Sequence, residues 1–81
     1  MYYVYLLRSK IEQEQKYVGF TEDLKLRVKE HNSGKSKHTK KYAPWDLIFY
    51  SAFQDKHKAL DFEKYLKSHS GRAFSEKRLY N

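Results

Sequence analysis

Apolar residues open this chain on both strand parities, with Tyr2, Val4 and Leu6 alternating with Tyr3, Tyr5 and Leu7. A strand that is apolar on both faces needs cover on both, so residues 1–7 are predicted as a well-covered strand. Arg8 to Lys16 is polar and breaks the run; Tyr17 to Phe20 resumes it, which predicts a hairpin with a long loop. Thr21 is read as the N-cap of a helix, with Glu22 and Asp23 in its first turn against the helix dipole. That helix is expected to reach about His31 and stop at Asn32-Ser33-Gly34. A basic loop with a short helical turn follows, and Pro44 opens a third strand from Trp45 to Phe53. Asp55 is read as the cap of a second long helix ending near Ser70-Gly71, and a short helix from Arg72 to Leu79 completes the order β-β-α-β-α-α. The first two strands are antiparallel, so the expected class is α+β, a small sheet flanked by helices.

Eighty-one residues make one small domain, and eight Tyr, five Phe and one Trp carry much of its core. The absence of cysteine excludes disulfides and thiolate metal sites and fits a reducing cytoplasm. No run has the length of a membrane span, and residues at the start lack a secretory pattern. Net charge is +7. Between Ser33 and Tyr42 stand four lysines, one histidine and no acid. Clustered cations without an apolar face point to a polyanion partner, nucleic acid, rather than to a membrane surface.

Side chains alternate along strands, so Tyr3, Tyr5 and Leu7 share one face, as do Tyr17 and Gly19 on the second strand. One hairpin parity stands the Tyr5 and Tyr17 phenols side by side; the other separates them. Gly19 is expected to leave a gap for a substrate backbone. The blander alternative is a pair of core aromatics with polar tips. Arg27 and His31 lie four apart on the stripe beside Leu24 and Val28, placed to point into a cleft beside the sheet; a solvated flank with Lys29 and Glu30 is the alternative. Glu63 falls inside the apolar arc formed by Ala59, Leu60, Phe62, Tyr65 and Leu66. A carboxylate there needs a cation. Lys67, one turn on, offers an ion pair worth about 0.2–0.5 kcal/mol. The functional alternative is a phosphate-binding cluster or a metal ion, for which a single carboxylate suits Mg²⁺. The four histidines (His31, His38, His57, His69) lack the spacing of a structural zinc site, and there is no phosphate-cradling glycine loop.

These residues resemble the GIY-YIG nuclease family. Tyr3-Val4-Tyr5 and Tyr17-Val18-Gly19 match its two naming motifs, followed in order by Arg27, His31 and Glu63. Glu30-His31-Asn32-Ser33-Gly34 and Phe62-Glu63-Lys64-Tyr65-Leu66-Lys67-Ser68 extend the likeness over nearly the whole chain. It is strongest to small stand-alone bacterial members. More distant relatives include the incision subunit of nucleotide excision repair and certain homing and restriction endonucleases. The resemblance implies a three-stranded antiparallel sheet flanked by helices, a single nuclease domain over 1–81 without an appended domain, and one divalent ion, Mg²⁺ or Mn²⁺, held at Glu63. It further implies that Tyr17 orients or deprotonates the attacking water, Tyr5 is the second phenol of the site, and Arg27 meets the scissile phosphate. His31 falls where the family carries Tyr or His. The chain departs from the pattern at Tyr3, which replaces a glycine, at both valines, which replace isoleucine, and at Phe20, where several relatives carry lysine. The late asparagine of some relatives has no secure counterpart; Asn81 is not assigned to it.

The reading that follows is a divalent-metal-dependent endonuclease acting on DNA in the cytoplasm, structure-selective or weakly specific, in repair or recombination. A free phenol, with a pKa of about 10, is a poor base at neutral pH, whereas imidazole near about 6.5 is better matched. His31 therefore stands level with Tyr17 as proton acceptor. Lys35, Lys37, Lys40, Lys41, Lys67 and Arg72 are assigned to backbone phosphates. Two rivals make different demands. A non-catalytic nucleic-acid-binding module of the same fold binds in a salt-sensitive manner without cleaving, and a protein-interaction domain has no nucleic-acid affinity even at low salt.

Overall fold

The structure, a computed structural model, describes residues 1–80; Asn81 lies outside them. The elements are β1 (Tyr2–Ser9), β2 (Lys16–Thr21), α1 (Leu24–Asn32), a 3₁₀ turn (Lys40–Tyr42), β3 (Trp45–Phe53), α2 (Lys56–Lys67) and α3 (His69–Arg78). Both outer strands pair antiparallel with β1, giving the order β2-β1-β3. This is the expected α+β fold, and the central place of β1 accounts for its two apolar faces. Val4 and Leu6 pack with Ala59, Leu66 and Tyr80 on the face covered by α2 and by the residues that follow α3. Tyr5 and Leu7 pack on the other face with Trp45, under Leu24 and Val28 of α1. Val4, Leu6 and Leu7 are fully buried, each stabilising the fold by about 1.5–3 kcal/mol.

Two boundaries and the width of one buried stripe differ from the sequence expectations. The N-cap of α1 is Asp23, whose carboxylate accepts the Leu26 N–H; Thr21 still belongs to β2, and its hydroxyl accepts the Asp23 N–H instead. Hence Asp23 caps the helix from outside rather than opposing its dipole from within. The second break falls at Ser68, not at Ser70-Gly71: Ser68 is extended, ends α2, and caps α3 by accepting the Gly71 N–H. Gly71 is required inside α3, because a Cβ there would lie 1.8 Å from the Tyr65 carbonyl oxygen. Finally, Leu60 and Tyr65 are exposed, so the buried stripe of α2 is narrower than the apolar arc and consists of Ala59, Phe62 and Leu66. At its far end α1 stops as expected, with the Ser33 N–H on the Lys29 carbonyl and the Lys35 N–H on the Glu30 carbonyl. Among the described residues no helix is long and apolar enough to cross a membrane.

Candidate active site

The hairpin register pairs Tyr5 with Gly19 and Leu7 with Tyr17. Tyr5 and Tyr17 are therefore diagonal neighbours on one face, with ring centres 6.3 Å apart. Gly19 does not leave a gap for substrate. A Cβ there would lie 2.3 Å from both Cζ and Oη of Tyr5, so the space is taken by the Tyr5 ring as it crosses the edge strand. His31 of α1 completes an aromatic cluster, its ring centre 5.7 Å from Tyr5 and 4.9 Å from Tyr17.

A buried hydrogen-bond chain runs from this cluster into the loop after α1. The Tyr5 hydroxyl lies 2.7 Å from His31 Nε2, and His31 Nδ1 lies 2.7 Å from Thr39 Oγ1. The Trp45 indole N–H donates to the Thr39 carbonyl at 2.9 Å, and Asn32 clamps the Trp45 backbone by accepting its N–H and donating to its C=O. Burial, then the Arg27 charge, push His31 down to about 4, so its imidazole is neutral at pH 7. Burial, followed by the neighbouring Tyr17, pushes Tyr5 up to about 12. A phenol is the better proton donor of the two hydroxyls, so Tyr5 donates to Nε2 and Nδ1–H donates to Thr39. The sequence set His31 level with Tyr17 as proton acceptor; in this arrangement neither ring nitrogen is free to meet water directly. The imidazole is fully buried and both its nitrogens are occupied. Burial raises the Tyr5 phenol and lowers the His31 imidazole, so the phenol keeps its proton and the imidazole stays neutral. His31 holds Tyr5 in place.

The Arg27 charge acts on the Tyr5 phenol in the downward direction, against the effect of burial. Arg27 is one-third exposed, and its own pKa is raised, first by the 3.0 Å hydrogen bond from Nη1 to Glu30 Oε1. Glu63 approaches from α2, and its charge acts on Tyr5 in the upward direction. Its side chain is 19% exposed and meets the Lys67 ammonium at 3.1 Å, which supplies the cation that a carboxylate in that stripe needs. Among the described residues no group of three or more His, Cys, Asp and Glu could hold a metal ion. A lone carboxylate with a solvent path fits a hard cation that draws most of its oxygens from water and phosphate, as Mg²⁺ does, and not a zinc-type cage.

The six assigned cations fall in two places. Lys35, Lys37, Lys40 and Lys41 are all exposed on the segment after α1, which is anchored by buried Ser36 and Thr39. Lys67 and Arg72 instead line a cleft of about 510 Å³ together with Tyr17. Thr39 went unnoticed in the sequence, and Asn32 was read only as part of the helix stop and of the family-like run, because neither has a periodic relation to the residues it holds. The only available hint was two uncharged hydroxyls inside a lysine-rich run.

A central strand and its hairpin partner each supply a tyrosine, the next helix an arginine and a later helix a glutamate; that is the layout of a nuclease-type domain. Residues 1–80 match the family model described as the GIY-YIG catalytic domain, and the chain belongs to the GIY-YIG family. Among individual proteins it is similar to a UPF0213 protein of Lacticaseibacillus paracasei, with 48% identity over 52 residues, covering 63% of this chain and 58% of that one. A UPF0213 protein of Clostridium perfringens is 38% identical over 68 residues, covering 83% of this chain and 71% of the other. The match thus spans little more than half the length of the first relative. The solution NMR structure of a UPF0213 protein from Bacillus halodurans superimposes with a TM-score of 0.56 at 35% identity, covering 95% of this chain and 82% of that one.

Proposed function

We propose that the protein is a divalent-metal-dependent endonuclease that hydrolyses phosphodiester bonds in DNA in the cytoplasm. The observation that carries this reading is the Tyr5–Tyr17–His31 cluster, with ring centres 4.9–6.3 Å apart, to which Arg27 and Glu63 lie near enough for their charges to act on the Tyr5 phenol. Glu63 would hold Mg²⁺ or Mn²⁺, which when bound supplies Lewis-acid polarisation of the phosphate and the leaving oxygen. Arg27 donates to the non-bridging oxygens of the scissile phosphate and stabilises the charge that develops there. Tyr5 stays protonated, donating to His31, and packs beside Tyr17; it acts as a positioning residue. Tyr17 is the partly exposed phenol of the pair, so it is the one that meets water and orients it for attack on the phosphate. The lysines after α1 hold flanking phosphates and carry no sequence information.

The test is cleavage of duplex, branched, flapped and single-stranded DNA with Mg²⁺ or Mn²⁺, using protein freed of contaminating nucleases. Arg27→Ala is expected to lower the rate about 10²–10³-fold with little effect on binding. Salt-sensitive binding without cleavage of any substrate would replace this reading with that of a non-catalytic nucleic-acid-binding module.

A further inference from the structure

Tyr17 and Lys67 each belong to two places at once. Tyr17 packs on His31 in the aromatic cluster and also lines the 510 Å³ cleft; Lys67 pairs with Glu63 and lines the same cleft. The cleft therefore shares Tyr17 and Lys67 with the candidate site, while its floor belongs to the α2 face of the sheet. Val18, Leu66 and Tyr80 give it an apolar floor. Of its three cations, Lys67 is paired with Glu63 and Lys16 with Glu76. Arg72 is exposed and has no carboxylate within ion-pair distance among the described residues.

A cavity of this size matches a small ligand. A continuous duplex, whose major groove alone is about 12 Å wide, cannot enter it. One unpaired nucleotide can. We propose that the cleft holds an unpaired nucleotide of the DNA strand next to the cleaved bond, its phosphate on Arg72 and its base against Val18, Leu66 and Tyr80. The Lys16 ammonium already lies 4.6 Å from the Tyr80 ring centre, so the base meets aliphatic surface and ring edge rather than a fully open ring face. This inference rests on the reading that DNA is the substrate, and it makes the protein selective for flaps, ends and single strands. In a continuous duplex, pairing and stacking must be broken before a base can reach the floor.

The experiment separates binding from cleavage. Fluorescence anisotropy in EDTA compares labelled oligothymidine with a blunt duplex of equal length, for wild type, Arg72→Gln and the cleft-filling Gln15→Trp, each checked for folding by circular dichroism. Wild type is expected to prefer the single strand. Arg72→Gln weakens that binding about tenfold, as for loss of one charge-assisted contact. Gln15→Trp removes the preference and leaves duplex binding unchanged, and the backbone amides of Val18 and Tyr80 shift in NMR spectra on adding oligothymidine. Equal or tighter duplex binding, or single-strand affinity indifferent to both substitutions, overturns the proposal; tighter binding of oligouridine overturns the DNA assignment. With Mn²⁺ present, equal cutting of flap and blunt duplex overturns the cleft's role and leaves the nuclease reading standing. Single-strand preference without any cleavage does the reverse.

Discussion

Replacing Gly19 by alanine tests whether the Tyr5 ring lies across the edge strand. Gly19 does not have a left-handed backbone, so alanine adds no φ strain, and in an ordinary strand position it would stabilise by about 0.5–1 kcal/mol through reduced chain entropy. Contact geometry acts in the opposite direction. The new Cβ would lie 2.3 Å from Cζ and Oη of Tyr5 and 2.7 Å from Cε1, where carbon contacts settle at about 3.5–4.0 Å. The ring has little room to retreat: Tyr5 is 1% exposed and its hydroxyl is held 2.7 Å from His31. Overpacking of this kind costs about 1–3 kcal/mol, and a displaced buried hydrogen bond adds about 0.5–1.5 kcal/mol. After the entropic gain is subtracted, Gly19→Ala should destabilise by about 0.5–4 kcal/mol. Urea unfolding measures it, with a double-mutant cycle against Tyr5→Leu. In the Tyr5→Leu background alanine has room, so its cost should vanish or change sign. A similar cost in both backgrounds, or stabilisation of the wild type, would refute the packing.

The buried titrating groups give two pH predictions with opposite directions. His31 falls from 6.5 to about 4 on folding, so the unfolded chain binds more protons between those values; stability is complete above about 6.5 and falls by up to about 3 kcal/mol as pH drops through 4. Urea midpoints at pH 7 and 4.5 should show this loss, and His31→Phe, though less stable at pH 7, should show a flatter acid limb. Tyr80 is raised from 10.0 to about 12, chiefly by burial; its contribution is complete below pH 10 and is lost as pH climbs toward 12, up to about 3 kcal/mol. Because the Tyr80 hydroxyl makes only a long 3.4 Å hydrogen bond to the Leu7 carbonyl, Tyr80→Phe should change little at pH 7 and move alkaline unfolding to higher pH; an unchanged alkaline midpoint would count against it.

The architecture was largely legible because its signals are local or periodic. A strand apolar on both parities has to be central, and Trp45 to Phe53 reads as a strand from composition alone. The site was legible as residue types at spacings but not as roles. Periodicity put His31 beside the apolar stripe of α1, yet what sinks it into the core is Thr39, eight residues on in a segment with no period. Gly19 could be marked as a place of close approach, but the approaching group is Tyr5, fixed by a cross-strand register that the sequence leaves open. Gly71 read as a helix stop, since nothing local says that the carbonyl of Tyr65 sits where its side chain would be.

The central claim is that Glu63, Arg27 and the two phenols form one hydrolytic site, and Glu63→Gln tests it most directly. The variant keeps the side chain's shape and removes the charge that a divalent cation would need. With Mg²⁺ or Mn²⁺ and a flapped DNA substrate, wild type is expected to cut in proportion to metal occupancy, while a folded Glu63→Gln loses at least about a hundredfold in rate. Equal, metal-dependent rates for the two proteins would contradict it.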